Sequence, residues 1–340
     1  MFKNKSILIT GGTGSFGQRC VKTLLKQHNP KKIIIYSRDE LKQFEMSNLF
    51  TLNELKKLRF FIGDVRDSER LHLAMNDVDY VIHAAAMKQV VASEYNPIEC
   101  IKTNIYGAQN VAMAALNCGV KKVIALSTDK ACSPINLYGA TKLASDKIFI
   151  AANNMVGDKD SRYAVVRYGN VVGSRGSVIP FFEKLIKDGA DYLPVTDERM
   201  TRFWITLEEG VEFVLKSFEM MHGGEIFIPK IPSTTILDLV SAFNSGIKTK
   251  IVGIRPGEKI HEVMISSDDN PFVVEFKDHY IIKPVINFSN LSENYTKNKL
   301  GEIGSMLKDS NFSYASNSNQ VFLNNSEIKK LILEYKRLNS

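Results

Sequence analysis

Cysteine is scarce in this chain of 340 residues: Cys20, Cys100, Cys118 and Cys132 stand far apart, with no C-x-x-C pair among them. That spacing excludes a thiolate zinc cage and a disulfide framework, so no metal site is expected and the thiols read as reduced and cytoplasmic. Long apolar runs are missing as well. No window approaches the ~20 residues that a membrane span needs, and Ile7–Thr10 is too short for a signal-peptide core. A soluble cytoplasmic protein is the expectation, without a membrane partner. Nor is charge of one sign concentrated anywhere: 44 Lys and Arg against 37 Asp and Glu give +7, spread along the chain. Nucleic-acid binders cluster their cations, so this distribution points away from nucleic acid and toward a small anionic substrate or cofactor. There is no internal repeat.

What is present is a large apolar fraction, 44%, enough to bury a sizeable core. Runs at Ser6–Thr10, Ile33–Tyr36, Leu58–Ile62, Tyr80–Ala84, Val123–Ser127 and Tyr163–Arg167 are hydrophobic throughout, the habit of parallel strands covered on both faces. Segments with helical apolar spacing lie between them, at Gly17–Gln27, Glu69–Met75 and Tyr106–Cys118. The pattern predicts an α/β fold with a doubly wound parallel sheet. After about Gly173 the rhythm breaks into Gly- and Pro-punctuated pieces such as SRGSVIP and IRPGEK. The division expected is a dinucleotide-binding region over 1–172 and a mainly substrate-binding region over 173–340, intertwined with the first. Residues 287–326, rich in Asn and Ser, read as irregular structure or a packed tail. Met200, Phe203 and Trp204 read as core.

Directly after the first strand comes GGTGSFG, with Gly11, Gly14 and Gly17 spaced G-x-x-G-x-x-G around Thr13, Ser15 and Phe16. A turn this tight, opening a helix, lets backbone amides approach a pyrophosphate, as in a Rossmann nucleotide site. The second strand ends in YSRDELK. Its Arg38 and Lys42 favour a 2′-phosphate and hence NADP, with Ser37 beside them as a further cofactor contact, while Asp39 holding the ribose of NAD is the competing reading. Asp64, followed by Val65, can accept from an adenine amino group or cap the next helix.

The stretch LSTDKACSPINLYGATK holds Tyr138-x-x-x-Lys142, a proton-transfer pair suited to nicotinamide chemistry, with Asp129 and Lys130 just upstream. Together with the glycine turn, Asp64, the HAAA strand end and Asn104, it resembles the extended short-chain dehydrogenase/reductase superfamily. STDKACSPINLYGATK, RYGNVVGSRGSVIPFF, ERMTRFWIT, HGGEIFIPKIPS and IRPGEKIHEVMI are similar, over roughly residues 5 to 285, to the inverting UDP-N-acetylglucosamine 4,6-dehydratases that begin bacterial pseudaminic acid synthesis. The chain departs from that pattern at Lys88-Gln89-Val90-Val91, where Lys-His-Val-Pro is expected, and in its tail.

The resemblance implies tightly bound NADP, with Ala84, Ala86 and Asn104 added to its contacts. It implies conversion of UDP-N-acetylglucosamine to a 4-keto-6-deoxy sugar, inverted at carbon 5, by a homo-oligomer. Tyr138, its phenol lowered by the Lys142 cation and the nicotinamide charge, would take the 4-hydroxyl proton, with Thr128 bonded to the same oxygen. Lys130 would be the base at carbon 5 and Asp129 the acid that releases water, requiring a depressed lysine pKa and a raised carboxyl one. Asp129 and Lys130 could instead be a solvated pair at a strand end. Lys88 could touch sugar or phosphate, or face solvent. For the UDP group, Asn170, Arg175, Thr196, Arg202 and Arg255 offer amide and guanidinium partners, and Glu258 could pair with ribose hydroxyls. A 4-epimerase on the same scaffold needs Tyr138 and Lys142 but makes no use of Asp129 and Lys130. A non-catalytic NADP-sensing protein is the reading furthest from these motifs.

Overall fold

The computed structural model describes residues 1–174, 176–243, 246–286 and 293–339. Six strands alternate with helices through its first half: β1 (Ser6–Thr10), β2 (Lys32–Ser37), β3 (Leu58–Ile62), β4 (Tyr80–His83), β5 (Lys122–Leu126) and β6 (Arg162–Val166). They run parallel in the order 3-2-1-4-5-6. Every residue of β1 and β4 is buried, which is why these runs are apolar without alternation. Each expected strand is present, with bounds shifted by a residue at most. From β1 the sheet grows in both directions, so the loops after β1 and β4 part and leave a crevice beyond the carboxyl ends of the strands.

The second half returns to the same sheet. Ile226–Pro229 joins β6 in parallel, and His279–Ile282, Val273–Glu275 and Ser305–Met306 continue it antiparallel to ten strands. Beside it lies a smaller layer in which Asn170–Val171, Thr201–Ile205 and Ser233–Thr235 form a three-stranded sheet. This layer has its own apolar cluster, including Phe182, Leu193, Trp204 and Leu239, which Ile328 and Ile332 of the helix Asn325–Asn339 complete. Met200, Phe203 and Trp204 are buried, as their surroundings in the sequence suggested.

Of the two readings of the tail, the packed one fits the described residues. Residues 287–292 lie outside the described residues, but Ser305–Met306 extends the central sheet and Tyr314–Ala315 pairs with Val263–Ile265. Short strands of two residues carry no periodicity, so composition alone could not announce them. Among the described residues no helix is long and apolar enough to cross a membrane.

Candidate active site

A cavity of about 680 Å³ opens at the carboxyl ends of β1, β4, β5 and β6. One part is lined by Gly11, Thr13, Gly14, Ser15, Phe16, Gly17, Ser37, Arg38, Asp39, Lys42, Asp64, Val65, Ala84 and Ala86, and the other by Lys88, Thr128, Asp129, Lys130, Tyr138, Lys142 and Asn170. Asn104 is not in the lining. A π-helical turn at Lys102–Tyr106 carries it inward, where its amide exchanges hydrogen bonds with the backbone of Met87 (2.8 and 2.9 Å) and so holds the segment that bears Lys88.

The glycine turn is built for backbone approach. Gly11 has φ +65°, and a Cβ on Gly17 would stand 2.3 Å from the carbonyl oxygen of Gly12. The helix Ser15–Gln27 begins behind Gly14 with no side chain capping its amides and no acid in its first turn. Those donors face the cavity, an arrangement that suits a phosphate. Thr10 Oγ1 accepts from the amides of Ala84 and Ala85 and shares a hydrogen bond with His83 Nδ1 at 2.8 Å. Burial, then the nearby Lys142 charge, lowers that imidazole to about 3, so it stays neutral beneath the alanines. At the end of β2, Asp39 accepts from the amide of Lys42 (3.0 Å) as a helix cap and pairs with Lys42 Nζ at 2.9 Å. Asp64 accepts from Arg66 Nη2 at 2.8 Å and lies 3.6 Å from Arg38; the following helix is capped by Asp67 instead.

The reacting end is made of buried charge. Thr128 caps a 3₁₀ turn, Asp129–Ala131, and donates to Asp129 Oδ1 at 2.9 Å. This turn packs on the helix Leu137–Ala152, where a Cβ on Gly139 would come within 2.2 Å of the Lys130 carbonyl oxygen. Asn136 caps that helix through the amide of Gly139 and donates to the Gly257 carbonyl, tying the RPGEK segment to it. Tyr138 and Lys142, four apart, share one face.

Lys130 Nζ lies 3.1 Å from Asp129 Oδ1 and 3.0 Å from Glu262 Oε1, and both carboxylates are almost wholly buried. Burial lowers the lysine, but Asp129 and Glu262 together outweigh it, so its pKa is raised. This corrects the expectation of a depressed lysine: its neighbours hold the proton on. Burial pushes the Tyr138 phenol up to about 12, against a pull downward from Lys130 and from a hydrogen bond with Thr128. Lys142 is itself lowered by burial, with Asp146 acting the other way.

Four proposed UDP contacts are not in the cavity lining. The guanidinium of Arg202 donates to the carbonyls of Thr201, Lys259 and Ile260, and Thr196 Oγ1 donates to Met200 Sδ. Arg255 and Glu258 bond to each other's backbone around Gly257. Arg175 lies outside the described residues. Conversely, Glu262 was missed: it stands in the quoted IRPGEKIHEVMI, but no local pattern marks it.

The family model described as "Polysaccharide biosynthesis protein" matches residues 7–284. A UDP-N-acetylglucosamine 4,6-dehydratase (inverting) of Campylobacter jejuni subsp. jejuni serotype O:2 is 62% identical over 332 residues, 98% of each chain. A UDP-glucose 4-epimerase of Rickettsia conorii is 42% identical, over 98% of this chain and 96% of that one. Among solved structures, Pen from Bacillus thuringiensis matches with a TM-score of 0.87 at 36% identity, covering 99% of each chain.

Proposed function

We propose, from the premise that this chain belongs to the polysaccharide biosynthesis protein family within the short-chain dehydrogenase/reductase superfamily, that it is an inverting UDP-N-acetylglucosamine 4,6-dehydratase. The observation that carries this is the buried Asp129–Lys130 pair, 3.1 Å apart, in the same cavity as Thr128, Tyr138 and Lys142. Elimination of water across carbons 5 and 6 needs one acid and one base, and these two residues are one of each. An epimerase, the name carried by the Rickettsia relative, has no use for them.

The residues fit a nicotinamide dinucleotide: the uncapped start of the helix Ser15–Gln27 suits the pyrophosphate, with Gly14 opening the approach. NADP is the better fit, because Asp39 is engaged with the amide of Lys42, while Arg38 and Lys42 line the cavity as cations that a 2′-phosphate would favour. When bound, the nicotinamide supplies oxidation at carbon 4, which makes the carbon 5 hydrogen acidic, and reduction at carbon 6 afterwards.

The chain's own residues move the protons. Tyr138 is a phenol at rest, so it takes the carbon 4 hydroxyl proton only by passing its own onward. Thr128 hydrogen-bonds with Tyr138 and donates to Asp129 Oδ1 at 2.9 Å, which gives that proton a route to Asp129. Asp129 thereby becomes the acid that protonates the hydroxyl leaving carbon 6, and Lys130 serves as the base at carbon 5. Cytoplasmic location, assembly with copies of itself, and supply of a pseudaminic-type sugar for surface glycan or flagellin complete the proposal. The test is incubation with UDP-N-acetylglucosamine in deuterium oxide, followed by NMR. The expected product is a 4-keto-6-deoxy sugar with inverted configuration and deuterium at carbon 5. UDP-N-acetylgalactosamine free of solvent deuterium would overturn the proposal in favour of the epimerase.

A further inference from the structure

Glu262 precedes the strand Val263–Ile265 and is held at both backbone groups by Ser316: its amide donates to Ser316 Oγ at 2.9 Å, and its carbonyl accepts from the Ser316 amide at 2.8 Å. Its Oε1 lies 3.0 Å from Lys130 Nζ. Its Oε2, like Asp129 Oδ2, is buried without a hydrogen-bond partner among the described residues. An ionised carboxylate with a bare buried oxygen is costly, and a protonated one much less so.

The dehydratase chemistry above, on which this inference rests, has two protons to move. The one from the carbon 4 hydroxyl must end in the released water, and the Tyr138–Thr128–Asp129 chain brings it to the acid that releases it. Asp129 is then full, while Lys130 still carries the ammonium proton that prevents it from acting as a base. The other acceptor within reach is Glu262. We propose that Glu262 is the proton partner of Lys130, taking its ammonium proton once the sugar covers the site and so freeing the amine to act at carbon 5.

The step balances. A Lys130 N–H bond breaks as a Glu262 O–H bond forms, turning an ion pair into a neutral pair. Lys130 then takes the carbon 5 proton, and on reprotonation of carbon 5 the proton held by Glu262 returns. Glu262 is a positioning residue, because it acts through Lys130. Among the three groups only Lys130 keeps appreciable exposure, 25% against 1% for Asp129 and 2% for Glu262. A sugar that covers it removes the last hydration of the ion pair, and drying weakens an ion pair relative to its neutral form. Among the described residues the other charged group facing the pair is Arg202, whose Nε is 3.9 Å from Glu262 Oε1 and which opposes the transfer. Its terminal nitrogens are engaged with three carbonyls. Tyr138 faces Lys130 as a neutral phenol.

An internal transfer leaves the protonation of the site unchanged, so exchange of the carbon 5 hydrogen with deuterium oxide should be flat between about pH 6 and 8 in the wild type. In Glu262→Gln the lysine must release its proton to solvent. Exchange should then fall roughly 100-fold near neutrality and climb about tenfold per pH unit, as expected for loss of one proton before the base can act. Formation of reduced cofactor in the same samples reports that the variant is folded and loaded. A uniform fall at every pH would mean that Glu262 only shapes the site, and it overturns the inference. A tenfold-per-unit climb in the wild type overturns it without any variant. If Lys130→Ala still exchanges carbon 5, the base assignment itself has failed, an outcome separable from failure of Glu262 alone.

Discussion

The two ends of the cavity handle charge in opposite ways. Around the glycine turn the groups are backbone amides and the ends of solvated side chains: Arg38, Asp39 and Lys42 keep 59%, 42% and 47% of their side-chain exposure. At the reacting end Asp129 and Glu262 are buried about a lysine. Charges in water recognise a ligand cheaply, and each contributes little. Charges out of water are expensive to hold unpaired, so moving one proton among them changes much. The first end is suited to retaining a cofactor and the second to running proton transfers, and substitutions should sort accordingly.

The largest effects belong at the buried end. Lys130→Ala should lower carbon 5 exchange by ~100- to 10,000-fold, the usual loss for a positioned base, while reduced cofactor still forms. Asp129→Asn, which removes the carboxylate that receives the Tyr138 proton, should slow the first oxidation as well as the release of water. Tyr138→Phe should stop the first oxidation, read as absence of the reduced-nicotinamide band in a single turnover. A Tyr138→Phe enzyme that develops the band at the wild-type rate would show that another group takes the hydroxyl proton.

Next come two glycines of one turn, which separate fold from ligand. A Cβ on Gly17 meets the Gly12 backbone at 2.3 Å, so Gly17→Ala should destabilise the protein beyond the ~1–3 kcal/mol of ordinary overpacking. A Cβ on Gly14 meets only the Gly11 carbonyl oxygen, at 3.2 Å. Gly14→Ala should therefore melt near the wild-type temperature yet lose copurifying nucleotide. Equal melting temperatures for the two variants would refute this division of labour.

The same contrast explains what could be foreseen. Parallel strands covered on both faces write unbroken apolar runs into the chain, and the glycine turn is local, so β1 to β6 and the nucleotide motif were legible. Asp129, Lys130, Tyr138 and Lys142 were legible because one strand, one turn and one helix carry them all. Glu262 was not. It is brought to Lys130 by pairings distant in the chain, Val263–Ile265 with Tyr314–Ala315 and the Thr201 amide with the Ile260 carbonyl. Missing that carboxylate reversed the expected direction for Lys130, since one acid can be outweighed by burial where two are not. Arg202 looked like a phosphate fork, but the backbone carbonyls of Thr201, Lys259 and Ile260 had claimed it.

The smallest effect expected is at the exposed end, where cofactor choice is decided. Arg38 is solvated and 3.6 Å from Asp64, so it is free to swing toward a 2′-phosphate at little expense. Asp39, which would have to hold the ribose of NAD, already accepts from the Lys42 amide and pairs with Lys42 Nζ. A charge-assisted bond to phosphate contributes on the order of 1.5–3 kcal/mol, and solvent screening at this site places Arg38 toward the lower figure. Arg38→Ala should then weaken NADP by about tenfold, leaving NAD nearly unchanged. Titration of both nucleotides into stripped protein measures the two constants, and mass spectrometry of nucleotide released from the wild type should find NADP. Equal losses for NADP and NAD would mean that Arg38 touches neither 2′ group. The buried end would then be the only one whose charges choose anything.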